Sequence, residues 1–353
     1  MSLPTPRGVL FSTKAAFALA VVSVAAAVWL SLQPHRLHDL EHLTTWVVQW
    51  SQGTDIYRAL PDVDYPPWAI VTLSPLAWLP PGLVAPVWVA TNLLALTYVA
   101  LALARTKHRS AFGSSAVELA ALLAAAGAMR TLNQFSLVAL AFAVAGITTR
   151  GPLGPVWLGL SLMKPQIGGV LWLGALWKGQ WRLAGAALVV PFALALVYSA
   201  HAGVGPTDGL IGWADALRRQ HQDLFYGQTD FGWIVRGWYP GISPILISVG
   251  IAVVVFLPLA RTRADLGFAL ASLASVRHLS YDLVLLVPFL PGLERGWLWA
   301  TALLMALDPA GVSQVLVPGS WMAAHGDRLT LGLAWAGLIT FELGRFRRQS
   351  MTK

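Results

Sequence analysis

Cysteine is absent from the sequence, and charged side chains are scarce, at 11% of 353 residues. The lack of cysteine excludes disulfides, thiolate metal ligands and cysteine nucleophiles. Soluble globular domains carry about 25% charged residues, so the low charge content excludes an ordinary soluble domain. Hydrophobic residues make up 56% of the chain, and they recur in apolar runs along nearly its whole length. This composition predicts an all-α polytopic membrane protein.

The charge that is present has a net value of +8, which by itself could indicate nucleic acid binding. The basic residues, however, fall in short clusters between apolar runs, as they do in cytoplasmic loops, so no nucleic acid partner is expected. Placing the amino terminus in the cytoplasm puts most of the 24 Lys and Arg residues on the inner side. This topology also predicts a cytoplasmic carboxyl terminus.

The apolar runs predict a single integral membrane domain, 1–353, with about 12 transmembrane helices, in a range of about 10–13. The first run is expected to be a retained span rather than a cleaved signal peptide. The predicted spans are 9–32, 83–104, 114–130, 134–149, 152–163, 166–177, 181–200, 243–260, 264–277, 281–292, 296–307 and 328–344. Several are too short to cross a bilayer alone and are interpreted as paired hairpins, with one long helix over 152–177 or 264–292 as the alternative. The segment 66–82 is interrupted by prolines and predicts a re-entrant or interfacial element.

Polar residues gather at the predicted outer ends of these hairpins, in 130-RTLNQ-134, 163-MKPQ-166 and 277-RHLSYD-282. A single cation at such a depth can snorkel to the interface. Three cations on one side, each beside an amide, a histidine or a tyrosine, favour a shared anionic ligand. These cations are Arg130, Lys164 and Arg277.

Two long segments lie on the same predicted side, the loops 33–67 and 201–243. The first contains 35-HRLHDLEHL-43, with Asp39 and Glu41 about 200° apart on a helix, so only one carboxylate is expected to face a cavity. In the second, residues 210–225 predict an amphipathic helix that either lies in the membrane interface or caps the bundle. A carboxylate-rich loop above a cationic pocket suits group transfer from a lipid-linked phosphate: the carboxylate deprotonates the acceptor hydroxyl and the cations stabilise the departing phosphate.

At these residues the sequence resembles the GT-C superfamily of membrane glycosyltransferases, and within it glycosyltransferase family 87, which includes polyprenyl-phosphate-mannose-dependent mannosyltransferases. The resemblance rests on short units that occur in the family's order. They are Asp39 after the first span, 53-GTDIY-57, Tyr65-Pro66-Pro67, 133-NQFS-136, Lys164-Pro165 and 278-HLSYD-282, with 227-GQTDFGWIVR-236 as a looser unit.

The resemblance implies an inverting, metal-independent transfer from a polyprenyl-phosphate sugar to a glycolipid or glycan acceptor, on the extracytoplasmic face of a bacterial plasma membrane. No cofactor is expected, because the lipid-linked sugar is a substrate. Asp39 would be the general base. The residues expected to bind the donor phosphate are Lys164, His278, Arg130 and Arg277. Those expected to bind sugar or acceptor are Gln134, Asn133, Tyr281, Tyr65, Glu41, Gln228 and Arg236.

Other functions remain open on the sequence alone. The run His38-Asp39-Leu40-Glu41-His42 matches the H-x-x-E-H pattern of inverted zinc peptidases, although a third ligand is needed. A transporter or flippase for lipid-linked sugars is a second alternative, although no inverted repeat is visible. Within the glycosyltransferase interpretation, mannose is the first choice of sugar, followed by arabinofuranose and other hexoses.

Overall fold

The computed structural model describes residues 12–33, 38–60, 63–107, 115–128, 132, 134–220, 244–257, 259, 264–275, 280–293 and 295–307. Every regular element within these ranges is a helix, which confirms the all-α prediction. The amino-terminal half contains α1 (Thr13–Ser31), α2 (His38–Ser51), α3 (Ile56–Ala59), α4 (Pro67–Leu73), a 3₁₀ helix (Ser74–Trp78), α5 (Pro81–Lys107), α6 (Ala116–Ala128), α7 (Ser136–Thr148) and α8 (Leu153–Ser161). The remainder contains α9 (Pro165–Trp177), α10 (Trp181–Ala187), α11 (Val189–His201), α12 (Asp208–Gln220), α13 (Pro244–Phe256), α14 (Ala264–Ser275), a second 3₁₀ helix (Ser280–Gly292) and α15 (Arg295–Leu307).

Most of the predicted apolar spans coincide with a helix, whereas the span 181–200 is divided between α10 and α11. The predicted span 328–344 lies outside the described residues. Within the described ranges, three helical stretches are long and apolar enough to cross a bilayer by themselves: Thr13–Ser31, Pro81–Arg105 and Trp181–His201. The protein is therefore a helical membrane protein. The number of about 12 crossings stays a prediction, because the shorter helices need partners to complete a crossing.

The alternative of two long helices is wrong. Helix α8 ends at Ser161 and α9 begins at Pro165, because the proline has no N–H to continue the ladder. Helix α14 ends at Ser275, and residues Ser280–Gly292 form a 3₁₀ helix that contains Pro288 and Pro291. A 3₁₀ helix rises about 2.0 Å per residue, so this segment reaches further than an α-helix of the same length.

The segment 66–82 is not a span. It folds into the seven-residue α4 followed by a short 3₁₀ helix, and Ala69, Ile70 and Leu73 are buried within the protein. Pro67 opens α4 at its first position, where a missing N–H has no cost.

Close helix contacts depend on glycine at defined positions. A Cβ at Gly146 of α7 would lie 2.7 Å from the backbone nitrogen of Leu158 in α8. A Cβ at Gly168 of α9 would lie 2.2 Å from the carbonyl oxygen of Ser161 at the end of α8. Small residues let helix backbones approach in this way in membrane bundles. The second contact fixes the tight turn that carries Lys164.

Helices α2, α3, α4 and α12 pack together beside α11. In α12, Ala216 is buried, and the Trp213 indole donates to the carbonyl oxygen of Asp64 at 2.9 Å. The Trp213 ring also meets Trp68 edge to face at 5.4 Å. This apolar face therefore caps the bundle, the second of the two arrangements that the sequence left open; contact of α12 with the membrane interface stays a prediction.

Candidate active site

Asp39 lies in the first turn of α2, where a carboxylate is favoured by the partial positive charge of the helix amino terminus. The same face of α2 is anchored in the core, because Leu43, Val47 and Trp50 follow Asp39 at helical spacing and are buried. Asp39 and Glu41 both have exposed side chains, and they leave the helix in different directions. The anchored face fixes where Asp39 points.

Gln134 contacts Asp39 directly. The side-chain amide Nε2 of Gln134 donates a hydrogen bond to Oδ2 of Asp39. Gln134 is 3% exposed and belongs to the connection between α6 and α7. A buried amide that donates to one carboxylate oxygen orients the carboxylate and leaves lone pairs of the other oxygen available. Of the two carboxylates in the first turn of α2, this amide therefore engages Asp39.

Lys164 reaches the same connection from the turn between α8 and α9. Its ammonium Nζ donates to Oγ of Ser136 at 2.6 Å, and Nζ lies 5.4 Å from the centroid of the Phe135 ring. Lys164 is only 1% exposed. Ser136 follows Gln134 by two residues, so the 134–136 backbone holds the Asp39 carboxylate and the Lys164 cation close to each other.

Lys164 is also the residue that caps the amino terminus of α9, with Pro165 at the first helical position. A lysine at this end adds a full positive charge to the partial positive charge of the helix dipole. The place is thus suited to a negatively charged group.

Tyr65 lines the same region. Its ring meets the Phe135 ring at 4.5 Å and the Trp46 ring at 5.7 Å, both edge to face. Three residues after Tyr65, in the first turn of α4, the Trp68 indole donates to the carbonyl oxygen of Leu162 at 2.7 Å. This hydrogen bond connects the start of α4 to the turn that carries Lys164. Three separated segments of the chain, which carry Asp39, Tyr65 and Lys164, therefore meet around residues 134–136.

The backbone of Tyr65 is held by Tyr57 of α3, whose hydroxyl donates to the Tyr65 carbonyl oxygen at 2.6 Å. Burial, and then the neighbouring Tyr198, raise the pKa of the Tyr57 hydroxyl well above its usual value of 10.0. Tyr57 therefore stays protonated and remains a donor at neutral pH.

The structure brings together four of the residues that the sequence selected: Asp39, Gln134, Lys164 and Tyr65. Glu41 is exposed on a different side of α2. The side chain of Tyr281, on the second 3₁₀ helix, is not among those described. The other selected residues lie outside the described residues; they are Arg130, Asn133, Gln228, Arg236, Arg277 and His278.

Sequence reasoning missed two members of this cluster, Phe135 and Ser136. Both stand in the unit 133-NQFS-136 that had been selected for its amide side chains. The pattern carried no signal that Ser136 would accept from Lys164, because the two residues lie on different predicted hairpins.

The described side chains of the His38–His42 run do not assemble a set of metal ligands. Among the residues that the structure describes, no group of three or more His, Asp or Glu side chains is arranged to hold a metal ion. The side chain of His38 is not among those described, so this finding concerns the remainder of the run.

Comparison with known proteins gives one match. The sequence model of glycosyltransferase family 87 matches residues 64–287, a stretch that contains Tyr65, Gln134 and Lys164 but begins after Asp39. No curated protein and no solved structure matches the chain. Because the family match covers more than half of the chain, the protein belongs to glycosyltransferase family 87, a family of membrane glycosyltransferases.

Proposed function

We propose that this protein is an inverting glycosyltransferase that moves a sugar from a polyprenyl-phosphate donor to a hydroxyl of a glycolipid or glycan acceptor on the extracytoplasmic face of a bacterial plasma membrane. Asp39 is the general base. The observation that carries the proposal is the joining of the Asp39 carboxylate and the Lys164 cation through Gln134 and Ser136, two positions apart in one connection.

The proposed reaction balances with these groups alone. The acceptor oxygen attacks the anomeric carbon from the face opposite the phosphate, and its proton passes to a carboxylate oxygen of Asp39. A bond forms between the anomeric carbon and the acceptor oxygen, while the bond to the phosphate oxygen breaks. Polyprenyl phosphate leaves as an anion, so a second carboxylic acid is not needed to protonate it, in contrast to glycosidases.

Lys164 stabilises the phosphate that departs. Its ammonium and the amino terminus of α9 supply positive charge at one place, where charge on the leaving group increases during the reaction. His278, Arg130 and Arg277 are proposed to complete the phosphate site. Gln134 orients the base. Tyr65 presents an aromatic wall, and Asn133, Tyr281, Gln228 and Arg236 remain proposed contacts for sugar or acceptor.

The sugar follows from the family resemblance rather than from geometry. Mannose is the first choice, with arabinofuranose and other hexoses next. A transfer assay with purified protein in bilayer nanodiscs, a panel of polyprenyl-phosphate sugars and bacterial membrane lipid extract tests the proposal, with products identified by mass spectrometry. We expect one donor to yield a glycosylated acceptor together with free polyprenyl phosphate. A second preparation, protein reconstituted in lipid vesicles, measures donor movement across the membrane. Donor movement in the vesicles without cleavage of any donor in the transfer assay would contradict the proposal and indicate a transporter.

A further inference from the structure

Helices α3 and α12 enclose a cleft that the site above does not use. Its volume is about 470 Å³, which lies in the range of about 300–1,000 Å³ that ligand pockets occupy. The polar lining includes Asp55, Arg58, Asp208 and Asp215, and the apolar lining includes Leu60 and Ile211.

The walls of the cleft are fixed by contacts that do not depend on a ligand. The Tyr198 hydroxyl donates a hydrogen bond to Oδ1 of Asp55 at 3.0 Å, and the Arg58 guanidinium lies 3.2 Å from Oδ2 of the same carboxylate. Arg58 also lies 3.5 Å from Oδ2 of Asp208 across the cleft. A Cβ at Gly212 of α12 would lie 2.8 Å from Cβ of Tyr57, so this glycine allows α12 to approach α3. These contacts therefore fix the shape of the cleft in the absence of a ligand.

The charges of the lining indicate which ligands it can accept. Three carboxylates and the Arg58 guanidinium line the cleft, and Arg218 pairs with Asp215 beside it. Three negative and two positive charges leave a net negative charge, which disfavours a phosphate or another anion. No group of three acidic or histidine side chains among the described residues is arranged for a metal ion, which argues against a divalent cation. Carboxylates retain lone pairs that accept hydrogen bonds from hydroxyl groups, and Arg58 supplies donors. Ile211, 56% exposed, offers an apolar surface beside them. A neutral, hydroxyl-rich ring matches this combination.

The cleft is also joined to the candidate base through packed residues. Tyr57, in the wall of the cleft, donates to the backbone of Tyr65, and the Tyr65 ring packs on Phe135. Phe135 is the neighbour of Gln134, which holds Asp39. A chain of contacts therefore connects the wall of the cleft to the residue that holds the candidate base.

We propose that the α3–α12 cleft binds the neutral, polyhydroxylated headgroup of the acceptor, a sugar or cyclitol ring. The identification of the ligand as the acceptor rests on the proposed transfer function. The binding of a neutral, polyhydroxylated ring does not. Asp215 and Asp208 accept hydrogen bonds from ring hydroxyls, Arg58 donates to ring oxygens, and Ile211 covers an apolar face of the ring.

Binding is tested without turnover, with full-length protein in nanodiscs and ligand-observed saturation-transfer NMR. The probes are methyl mannoside, myo-inositol and inorganic phosphate. The variants are Ile211→Trp, which fills the cleft, and Asp215→Asn, which keeps its shape. The matched control is Arg182→Gln, which removes a charge at an exposed position of α10 that does not line the cleft. Thermal unfolding identifies any variant that fails to fold.

We expect methyl mannoside or myo-inositol to bind to the wild type and phosphate not to compete. Asp215→Asn should weaken binding about tenfold, because it removes a charge-assisted hydrogen bond, and Ile211→Trp should abolish it. Arg182→Gln should bind as the wild type does. Absence of binding to the wild type, binding that persists in folded Ile211→Trp, or competition by phosphate would overturn the inference. Binding that requires the cleft in a protein that transfers no sugar would overturn the proposed function alone.

Discussion

At the scale of single residues, the account depends on the contact between Gln134 and Asp39. The sequence identified both residues but gave Gln134 a role at the sugar, because a pattern of residues shows which side of the membrane a group occupies and not which atom it meets. The two residues are 95 positions apart, and only the folded chain brings them together. The contact adds a second proposed role for Gln134, that of positioning the proposed base, to its predicted role at the sugar or acceptor.

Replacing Gln134 by Leu tests this role. The substitution removes the hydrogen bond to a carboxylate, which is worth about 1.5–3 kcal/mol for a charged group, so we expect the transfer rate to fall about 10- to 100-fold. Donor affinity should remain near that of the wild type. Gln52→Leu, at the exposed end of α2, is the control and should keep full activity. An equal loss in donor affinity would indicate that Gln134 contacts the donor instead.

A second residue-scale prediction concerns Lys164. Replacing it by Met removes the cation at the amino terminus of α9, so the KM for the polyprenyl-phosphate donor should rise about tenfold or more. The measurement is steady-state transfer at varied donor concentration. Lys178→Met is the matched control, because Lys178 caps the opposite end of the same helix and is exposed. Equal effects of the two substitutions would argue against a phosphate site at Lys164.

At the scale of helices, much of the structure could be predicted. The apolar runs gave the helix positions, since proline and glycine end the runs where the backbone hydrogen bonds must stop. The structure departs from the prediction where proline acts within a run. Pro191 cannot donate to the Ala187 carbonyl, and the predicted span 181–200 divides at Leu188 into α10 and α11. Pro288 and Pro291 similarly lie in a 3₁₀ helix. Which helices pack together was not readable, because uniformly apolar helices carry little directional signal.

The turn between α8 and α9 provides a prediction at this scale. A Cβ at Gly168 would lie 2.2 Å from the Ser161 carbonyl oxygen, whereas a Cβ at the adjacent Gly169 meets no atom within 4 Å. Gly168→Ala should therefore force the two helices apart, displace Lys164 and lower both the transfer rate and the thermal unfolding temperature. Gly169→Ala, the same chemical change one residue away, should leave both unchanged. Equal behaviour of the two variants would contradict the described packing of α8 on α9.

At the scale of the whole molecule, an ion pair joins α6 to α15, two helices far apart in the chain. The Arg295 guanidinium binds both oxygens of Glu118 at 2.9 Å, and the Trp299 indole donates to Glu118 at 2.8 Å. Glu118 is 2% exposed. The pair places the start of α6 and the start of α15 at the same end of the bundle. The assignment of that end to the cytoplasm stays a prediction.

Breaking this pair should destabilise the fold. Arg295→Leu leaves the Glu118 carboxylate buried without its partner, which costs on the order of 3 kcal/mol. The double variant Glu118→Leu, Arg295→Leu should be more stable than Arg295→Leu, because no buried charge remains unpaired. Thermal unfolding in nanodiscs measures both. A double variant that is less stable than the single one would contradict this expectation. It would show that removing both charges costs more stability than leaving Glu118 without Arg295.

The central claim of the proposed mechanism is that Asp39 removes the acceptor proton. The most direct test is the transfer rate of Asp39→Asn, measured beside Glu41→Gln with the donor that the wild type uses. Asparagine keeps the shape and the place of the side chain but cannot take a proton. The account predicts that transfer by Asp39→Asn falls by orders of magnitude while donor binding persists, and that Glu41→Gln stays close to the wild type. Near-normal transfer by Asp39→Asn would contradict it.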